Sequence, residues 1–387
     1  MADRLRVMIS CGEPSGDLYA GALAAEILKI EPGAVITGFG GARLRAAGAA
    51  LVRDFAGVSV TGLTEALRVI PRSWQNYRAL LRAAGDERPD VFVPIDFPDF
   101  NFFLARALHK RRIPIVYYIS PQLWAWRRGR LKTMQRVADR VLVIFPFEQA
   151  FYEEAGVPAT FVGHPLLELS TAPPARDTFL RAHGLNPSRP VVAMLPGSRR
   201  NELRTILPDL VRTAGIIAEH VPSAQFLLAR APHLGDELLA PLADWPPGAS
   251  KPVVVEGATD AVLASADVAI VASGTVTIQS ALHGCPMVVV YRVAPLTYTL
   301  GKPLLHVDTY AMVNLVAGRR VVPELIQDAF TPAAAAAEAL RVLTDPDHAA
   351  RVRRDLADVR TKLGTAGASR RAAEAVVDVA RARQGKD

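Results

Sequence analysis

An α/β protein made of two doubly wound halves, each on a parallel sheet, is the fold class this sequence predicts. Three observations carry that prediction. Short β-branched runs alternate with helical patterns from end to end, as in parallel sheets covered by helices. The alternation breaks once, at the Pro-, Ala- and Ser-rich stretch 169–174, and then restarts. A chain of 387 residues also exceeds one ordinary hydrophobic core.

The elements follow in order. The apolar run 6–11 is of strand length and ends in the polar turn Gly12-Glu13-Pro14-Ser15-Gly16-Asp17, so a strand and then a helix over 17–30 are expected rather than a secretory signal. Further strands are expected at 34–38, 90–95, 115–119 and 140–144, with helices at 102–111 and 127–138 between them. After the linker, strands are expected at 191–195, 225–229, 253–256, 268–271 and 287–290. The Ala/Arg-rich tail 366–383 has helical spacing, and 333–337 is a helix-forming alanine run. Domains are therefore drawn at 1–168 and 169–365, with the tail packing back on the first or on a partner chain.

Composition narrows the function classes. Half of the residues are apolar and 21% are charged, as in a folded soluble protein. No uncharged apolar run is long enough to span a bilayer. The two cysteines, Cys11 and Cys285, lack metal-ligand spacing and point to a reduced, cytoplasmic compartment. Within 60–140 there are 15 Lys/Arg against 7 Asp/Glu, so one region carries the net charge of +7. Such a region suits nucleic acid, an anionic membrane, a phosphorylated substrate or simply a solvated face. No aromatic-basic RNA motif or helix-turn-helix pattern accompanies it, which argues against nucleic acid.

In a doubly wound sheet, ligands bind beyond the carboxyl ends of the strands. The turn Gly12–Asp17 is such a place, and it is not the GxGxxG fingerprint of a nicotinamide enzyme. Leu195-Pro196-Gly197-Ser198-Arg199 is a second. There Gly197 lets the backbone approach a ligand, Ser198 offers a hydroxyl and Arg199 a planar cation suited to phosphate. Ala272-Ser273-Gly274-Thr275 is a third, opening a helix whose free N–H groups and dipole suit a diphosphate. Two such turns in one half favour a nucleotide-diphosphate site.

Several stretches together resemble the lipid-A-disaccharide synthase family. They are Gly12 to Asp17, Ile95-Asp96-Phe97-Pro98-Asp99-Phe100-Asn101, and Tyr118-Ile119-Ser120-Pro121-Gln122-Leu123-Trp124-Ala125-Trp126-Arg127. Pro146-Phe147-Glu148, Val162-Gly163-His164-Pro165, Leu195 to Arg199, and Ala272 to Thr275 with Pro286-Met287-Val288-Val289 complete the set. They are collinear and cover nearly the whole chain. The resemblance implies a GT-B fold: an N-terminal acceptor domain, a C-terminal nucleotide-sugar domain and a cleft between them. It implies transfer from UDP-2,3-diacylglucosamine to 2,3-diacylglucosamine 1-phosphate, giving a β-1,6 disaccharide with inversion. It further implies no cofactor and no metal, a peripheral protein on the inner face of the cytoplasmic membrane, and a homodimer swapped through its C-terminus.

Inverting transfer needs a base, and Asp96, at the end of an apolar strand, is the candidate. Asp99 is either a second carboxylate or a helix cap. Glu13, Ser15, Asp17, Asn101, Trp126 and Arg127 are assigned to the acceptor side, with capping as the other reading of Asp17. His164 is read as a hinge, a nucleotide contact or a structural histidine. Gly197, Ser198, Arg199, Gly274, Thr275, Gln279 and Arg292 are assigned to UDP. One departure stands out: where the family and its GT-B relatives usually place a ribose-binding glutamate, this sequence has Gln279, whose amide accepts without charge assistance. A glutamate at 279 is therefore expected to bind UDP more tightly if this position reads the ribose, and to change nothing if it is a core-facing helix residue.

The segment 60–81 carries Leu63, Leu67, Ile70 and Trp74 at helical spacing, interleaved with arginines. It reads either as core or as an interfacial helix docking on the membrane that holds the acylated substrates. The rival to the whole assignment is another GT-B enzyme of UDP-hexosamines, such as a UDP-N-acetylglucosamine 2-epimerase.

Overall fold

The computed structural model describes residues 4–55, 63–124, 128–232, 234–292 and 309–384, with the backbone alone at 63–70 and 128. The chain divides into two compact units: Met1–Glu168 with Leu363–Asp387, and Leu169–Lys362.

In the first unit the elements are β1 Arg6–Ser10, α1 Pro14–Ile30, β2 Val35–Gly40, α2 Ala42–Ala46, β3 Ala50–Asp54, α3 Leu63–Glu87, β4 Val91–Pro94 and α4 Pro98–Lys110. They continue with β5 Val116–Tyr118, α5 Leu131–Val137, β6 Arg140–Val143, α6 Pro146–Glu154 and β7 Ala159–Phe161. The strands lie in the orders β3-β2-β1-β4 and β5-β6-β7. Bridges from Phe92 to Ile115 and from Ile95 to Tyr118 join the two runs. Every pairing is parallel, and β1 contacts β2 on one side and β4 on the other. The chain therefore builds outward from β1 to one edge, then returns to build toward the other. That reversal is the topological switch point, where the loops leaving β1 and β4 diverge.

β1 is buried along Val7, Met8 and Ile9, as a central strand covered on both faces must be. Met8, Phe92, Leu104 and Ile115 form one core cluster with Leu80 of α3. The helix Ala368–Gln384 packs on α1, where Arg381 pairs with Glu31 at 2.7 Å. Glu168 accepts from the N–H groups of Ser369, at 2.8 Å, and Gly367, satisfying donors at the start of that helix.

After α7 Leu166–Leu169, which spans the border of the units, the second unit contains α8 Arg176–Ala182, β8 Val191–Leu195, α9 Arg200–His220, β9 Gln225–Arg230, β10 Val253–Glu256 and α10 Thr259–Ser265. After these come β11 Val268–Ala272, α11 Thr275–Leu282, β12 Met287–Tyr291 and β13 Glu324–Ile326. The sheet order is β10-β9-β8-β11-β12-β13, all parallel. This repeats the first unit's order over six of its seven strands, with the switch point between β8 and β11. Ile206, Leu210, Phe226, Ile270 and Val288 are fully or almost fully buried in its core, each contributing ~1.5–3 kcal/mol by burial.

Three strands are additional to those expected: β3, β7 and β13. α4 begins at Pro98 rather than 102, because proline at the first helical position needs no N–H partner.

Candidate functional site

At the first switch point, the loop after β1 meets the loop after β4. Asp96 and Phe97 both have left-handed backbone, with φ of 43° and 49°. Aspartate tolerates this, and phenylalanine pays for it in strain. Asn101 holds the pair in place. Its amide nitrogen donates to the Asp96 carbonyl at 2.8 Å and to Ser10 O at 3.2 Å, while its oxygen accepts from Ser10 Oγ at 2.7 Å. Tyr117 OH donates to the same Asp96 carbonyl at 3.0 Å. Gly12 is required here, because a Cβ would collide with the Phe97 ring. The half-buried carboxylate of Asp96 is thus set at a strand end by a locked backbone.

Beside it stands a group whose importance the sequence did not reveal. Glu148, in the first turn of α6, is 1% exposed. It accepts from Trp124 Nε1 at 3.1 Å and from the Phe145 N–H at 3.2 Å. Burial pushes its carboxyl up to about 7 against the pull of these bonds, and the charge of Asp96 adds to the rise. Pro146-Phe147-Glu148 enters the sequence reading only as a motif stretch, and the depth of its glutamate is a tertiary property. It anchors Trp124, which packs edge-on to Phe147 at 5.1 Å. Ser120, earlier in the same loop, is hydrogen-bonded to Tyr152.

At the second switch point, Gly197 has φ 125° and a Cβ there would strike Glu202. The Glu202 carboxylate accepts from the N–H groups of Ser198, at 2.9 Å, and Arg199, at 3.2 Å. An acceptor anion of this protein therefore already bridges the turn expected to meet a phosphate. Arg199 is 45% exposed and lies 3.7 Å from Glu202. Across the switch, Gly274, with φ 155°, caps α11 and leaves Thr275 exposed at the helix start. Tyr291, at the end of β12, has a raised pKa from burial and from the Glu202 charge, which Arg199 offsets.

A family model described as lipid-A-disaccharide synthetase matches residues 7–379. The chain is 44% identical over 374 residues to the lipid-A-disaccharide synthase of Geobacter sulfurreducens, covering 97% of each chain. It is 45% identical over 384 residues to that of Koribacter versatilis, covering 97% of this chain and 99% of the relative. The chain belongs to the lipid-A-disaccharide synthase family. It is a glycosyltransferase of lipid A biosynthesis with the GT-B fold. Among solved structures, UDP-N-acetylglucosamine 2-epimerase from Neisseria meningitidis, bound to UDP-N-acetylglucosamine, aligns with TM-score 0.67 at 12% identity, covering 97% of this chain and 100% of that one. The glycosyltransferase of kitacinnamycin aligns with TM-score 0.64 at 19% identity, covering 97% and 99%. These likenesses extend to the fold.

Against the family's motif stretches, several expected site residues prove to be internally engaged. Asp17 is 4% exposed, and its carboxylate accepts from Gly41 at 2.7 Å, Arg43 at 2.8 Å and Leu44 at 3.1 Å. It caps the turn into α2, the capping role expected as its other reading. Asn101 likewise serves the Asp96 turn, with its side chain fully buried. Arg292 pairs with Asp209, donates to the Phe330 carbonyl and lies over the Phe330 ring, 4.9 Å from its centre. That makes it a strut between β12 and α9. Asp99 pairs with Arg130. His164 is buried, accepts from the Leu166 N–H at 3.2 Å, and is held neutral by burial, which lowers its pKa to about 3.

Glu13 and Ser15 stand half-buried at the start of α1. Trp126 and Arg127 lie outside the described residues, as do the side chains of Leu63, Leu67 and Ile70. Trp74 is 53% exposed and stacks on Tyr77 at 5.2 Å, with the Arg78 guanidinium 5.2 Å above its ring. Among the described residues no group of three or more His, Cys, Asp or Glu is placed to hold a metal ion. No described helix is long and apolar enough to cross a membrane.

Proposed function

We propose that this chain transfers diacylglucosamine from UDP-2,3-diacylglucosamine to 2,3-diacylglucosamine 1-phosphate, yielding the β-1,6 disaccharide 1-phosphate and UDP with inversion. Asp96 takes the proton of the acceptor hydroxyl as that oxygen bonds to the anomeric carbon. The bond from this carbon to the UDP oxygen breaks in the same step. The charge appearing on UDP is met by the Gly274–Thr275 end of α11 and by Arg199, and Gln279 faces the ribose. Glu13, Ser15, Trp126 and Arg127 serve the acceptor. No metal takes part, and the UDP-sugar is a substrate rather than a cofactor.

The observation that carries this reading is that both sheets share one strand order and that Asp96 and the two Gly-containing turns stand at their switch points, the places where such sheets bind ligands. Family membership narrows the chemistry to that of lipid A. The epimerase alternative rests on fold likeness at 12–14% identity, against 43–45% to the synthases.

The acyl chains of both substrates reside in a bilayer, and the enzyme goes to them at the inner face of the cytoplasmic membrane. Support comes from Trp74 and Arg78 on the outer face of α3 and from Phe103, 62% exposed on the neighbouring α4. A tryptophan and basic residues presented together suit a headgroup interface. The C-terminal helix, seated on α1 of its own chain, is the element a swapped homodimer would exchange.

The test is incubation of purified protein with both sugars in excess EDTA, followed by mass spectrometry and NMR of the product. A β-linked disaccharide 1-phosphate supports the reading. Transfer that requires magnesium removes its metal-free chemistry, and absence of disaccharide with and without magnesium removes the reading itself.

A further inference from the structure

Gln279 of α11 is half-buried, and its side-chain nitrogen donates to Asp260 Oδ1 at 3.3 Å. Asp260, the second residue of α10, gathers other donors as well. Its Oδ1 accepts from Ser170 Oγ at 2.8 Å and lies 2.9 Å from His283 Nε2, and its Oδ2 accepts from the Thr171 N–H at 3.1 Å. Burial pushes the Asp260 carboxyl up, but the bonds from His283, Ser170 and Thr171 outweigh it and hold it below its ordinary range.

At neutral pH Asp260 is therefore a carboxylate, which accepts hydrogen bonds and donates none. The Gln279 amide must turn its NH2 toward such a neighbour, so Oε1 is directed away from Asp260. Among the described residues, Gln279 Oε1 makes no hydrogen bond.

We propose that Asp260 is a positioning residue of the donor site. It fixes the Gln279 amide so that its oxygen, rather than its nitrogen, meets a ribose hydroxyl of the bound nucleoside diphosphate. The inference rests on the reading of the second switch point as the UDP-sugar site. It reverses the expectation that glutamate would serve better at 279. A carboxylate there would stand against Asp260 as a like charge, and glutamine supplies the acceptor oxygen without that repulsion.

Calorimetric titration with UDP and with its 2′,3′-dideoxy analogue tests this. Wild type is expected to favour UDP by about 3- to 10-fold for each ribose hydrogen bond. Gln279→Leu should abolish that preference, and Asp260→Ala should reduce it severalfold while the protein stays folded by circular dichroism. Gln279→Glu alone should bind UDP more weakly than wild type, and adding Asp260→Asn should restore the loss. A merely structural Asp260 would not move the ratio between the two nucleotides.

Asp260→Ala with the wild-type ratio overturns the inference. So does Gln279→Glu binding UDP more tightly than wild type, or a double variant no better than Gln279→Glu alone. Gln279→Leu with the wild-type ratio overturns instead the underlying ribose reading, so the two failures are told apart.

Discussion

Asp96 and Phe97 occupy left-handed backbone in succession, a conformation costing ~1–3 kcal/mol for a bulky residue. It persists because Asn101 and Tyr117 both hold the Asp96 carbonyl. The sequence marked Asp96 through its strand-end position but could not tell a ligand-facing Asn101 from one that secures the turn. Both readings place a polar residue one helical turn past a strand, and only burial separates them. The same holds for Asp17 and Arg292, whose partners lie far away in sequence. Glu148 is the converse case, a deep acid to which the sequence assigned no role. Its carboxyl titrates near 7 when folded, against an ordinary value of 4.5. A raised folded pKa contributes stability below about pH 4.5, and that contribution is lost as pH rises through about 7. Thermal unfolding of Glu148→Gln beside wild type should show the difference in midpoint shifting against wild type between pH 4.5 and 7, then levelling off. A constant difference across that window would mean Glu148 is not protonated in its buried site.

At the scale of elements, the central strands were legible because they are continuous apolar runs, as fully covered parallel strands must be. β3, β7 and β13 were not, since each is three to five residues long and sits at a sheet edge with partial exposure. Short, half-polar edge strands carry little periodicity to read. The described side chains of α3 divide between two faces of the helix. Asn76, Leu80 and Ala84 face inward at helical spacing, and Trp74 and Arg78 face out. The faces separate by experiment. Leu80→Ala should cost ~2–5 kcal/mol of stability as a core truncation. Trp74→Ser should stay within ~0.5 kcal/mol of wild type yet float less well with anionic liposomes. A Trp74→Ser protein that floats like wild type would assign membrane docking elsewhere. In the second unit, the Glu202 carboxylate already occupies the N–H groups of the Gly197 turn. Arg199→Ala should nonetheless weaken UDP binding and turnover together, because a guanidinium on the diphosphate acts in both ground and transition state. Unchanged UDP affinity by calorimetry would take Arg199 out of the donor site.

Over the whole molecule, the strand order β3-β2-β1-β4 of the first unit recurs as β10-β9-β8-β11 in the second. The alternation of strands and helices and the single linker made this duplication visible in the sequence, while the order of strands within each sheet was not. Pairing partners are set by contacts distant along the chain, and local pattern does not specify them. The return of Ala368–Gln384 to the first unit was open for the same reason, since an amphipathic helix does not name its partner surface. The proposed reaction divides labour between the units: the acceptor's base in the first, and the grip on UDP in the second. That division is tested most directly by measuring turnover and UDP affinity on one preparation of Asp96→Ala. Turnover should fall by about two to four powers of ten, the range for loss of a general base, with UDP affinity unchanged. Near-wild-type turnover, or a loss of UDP affinity that matches the loss of turnover, would contradict it.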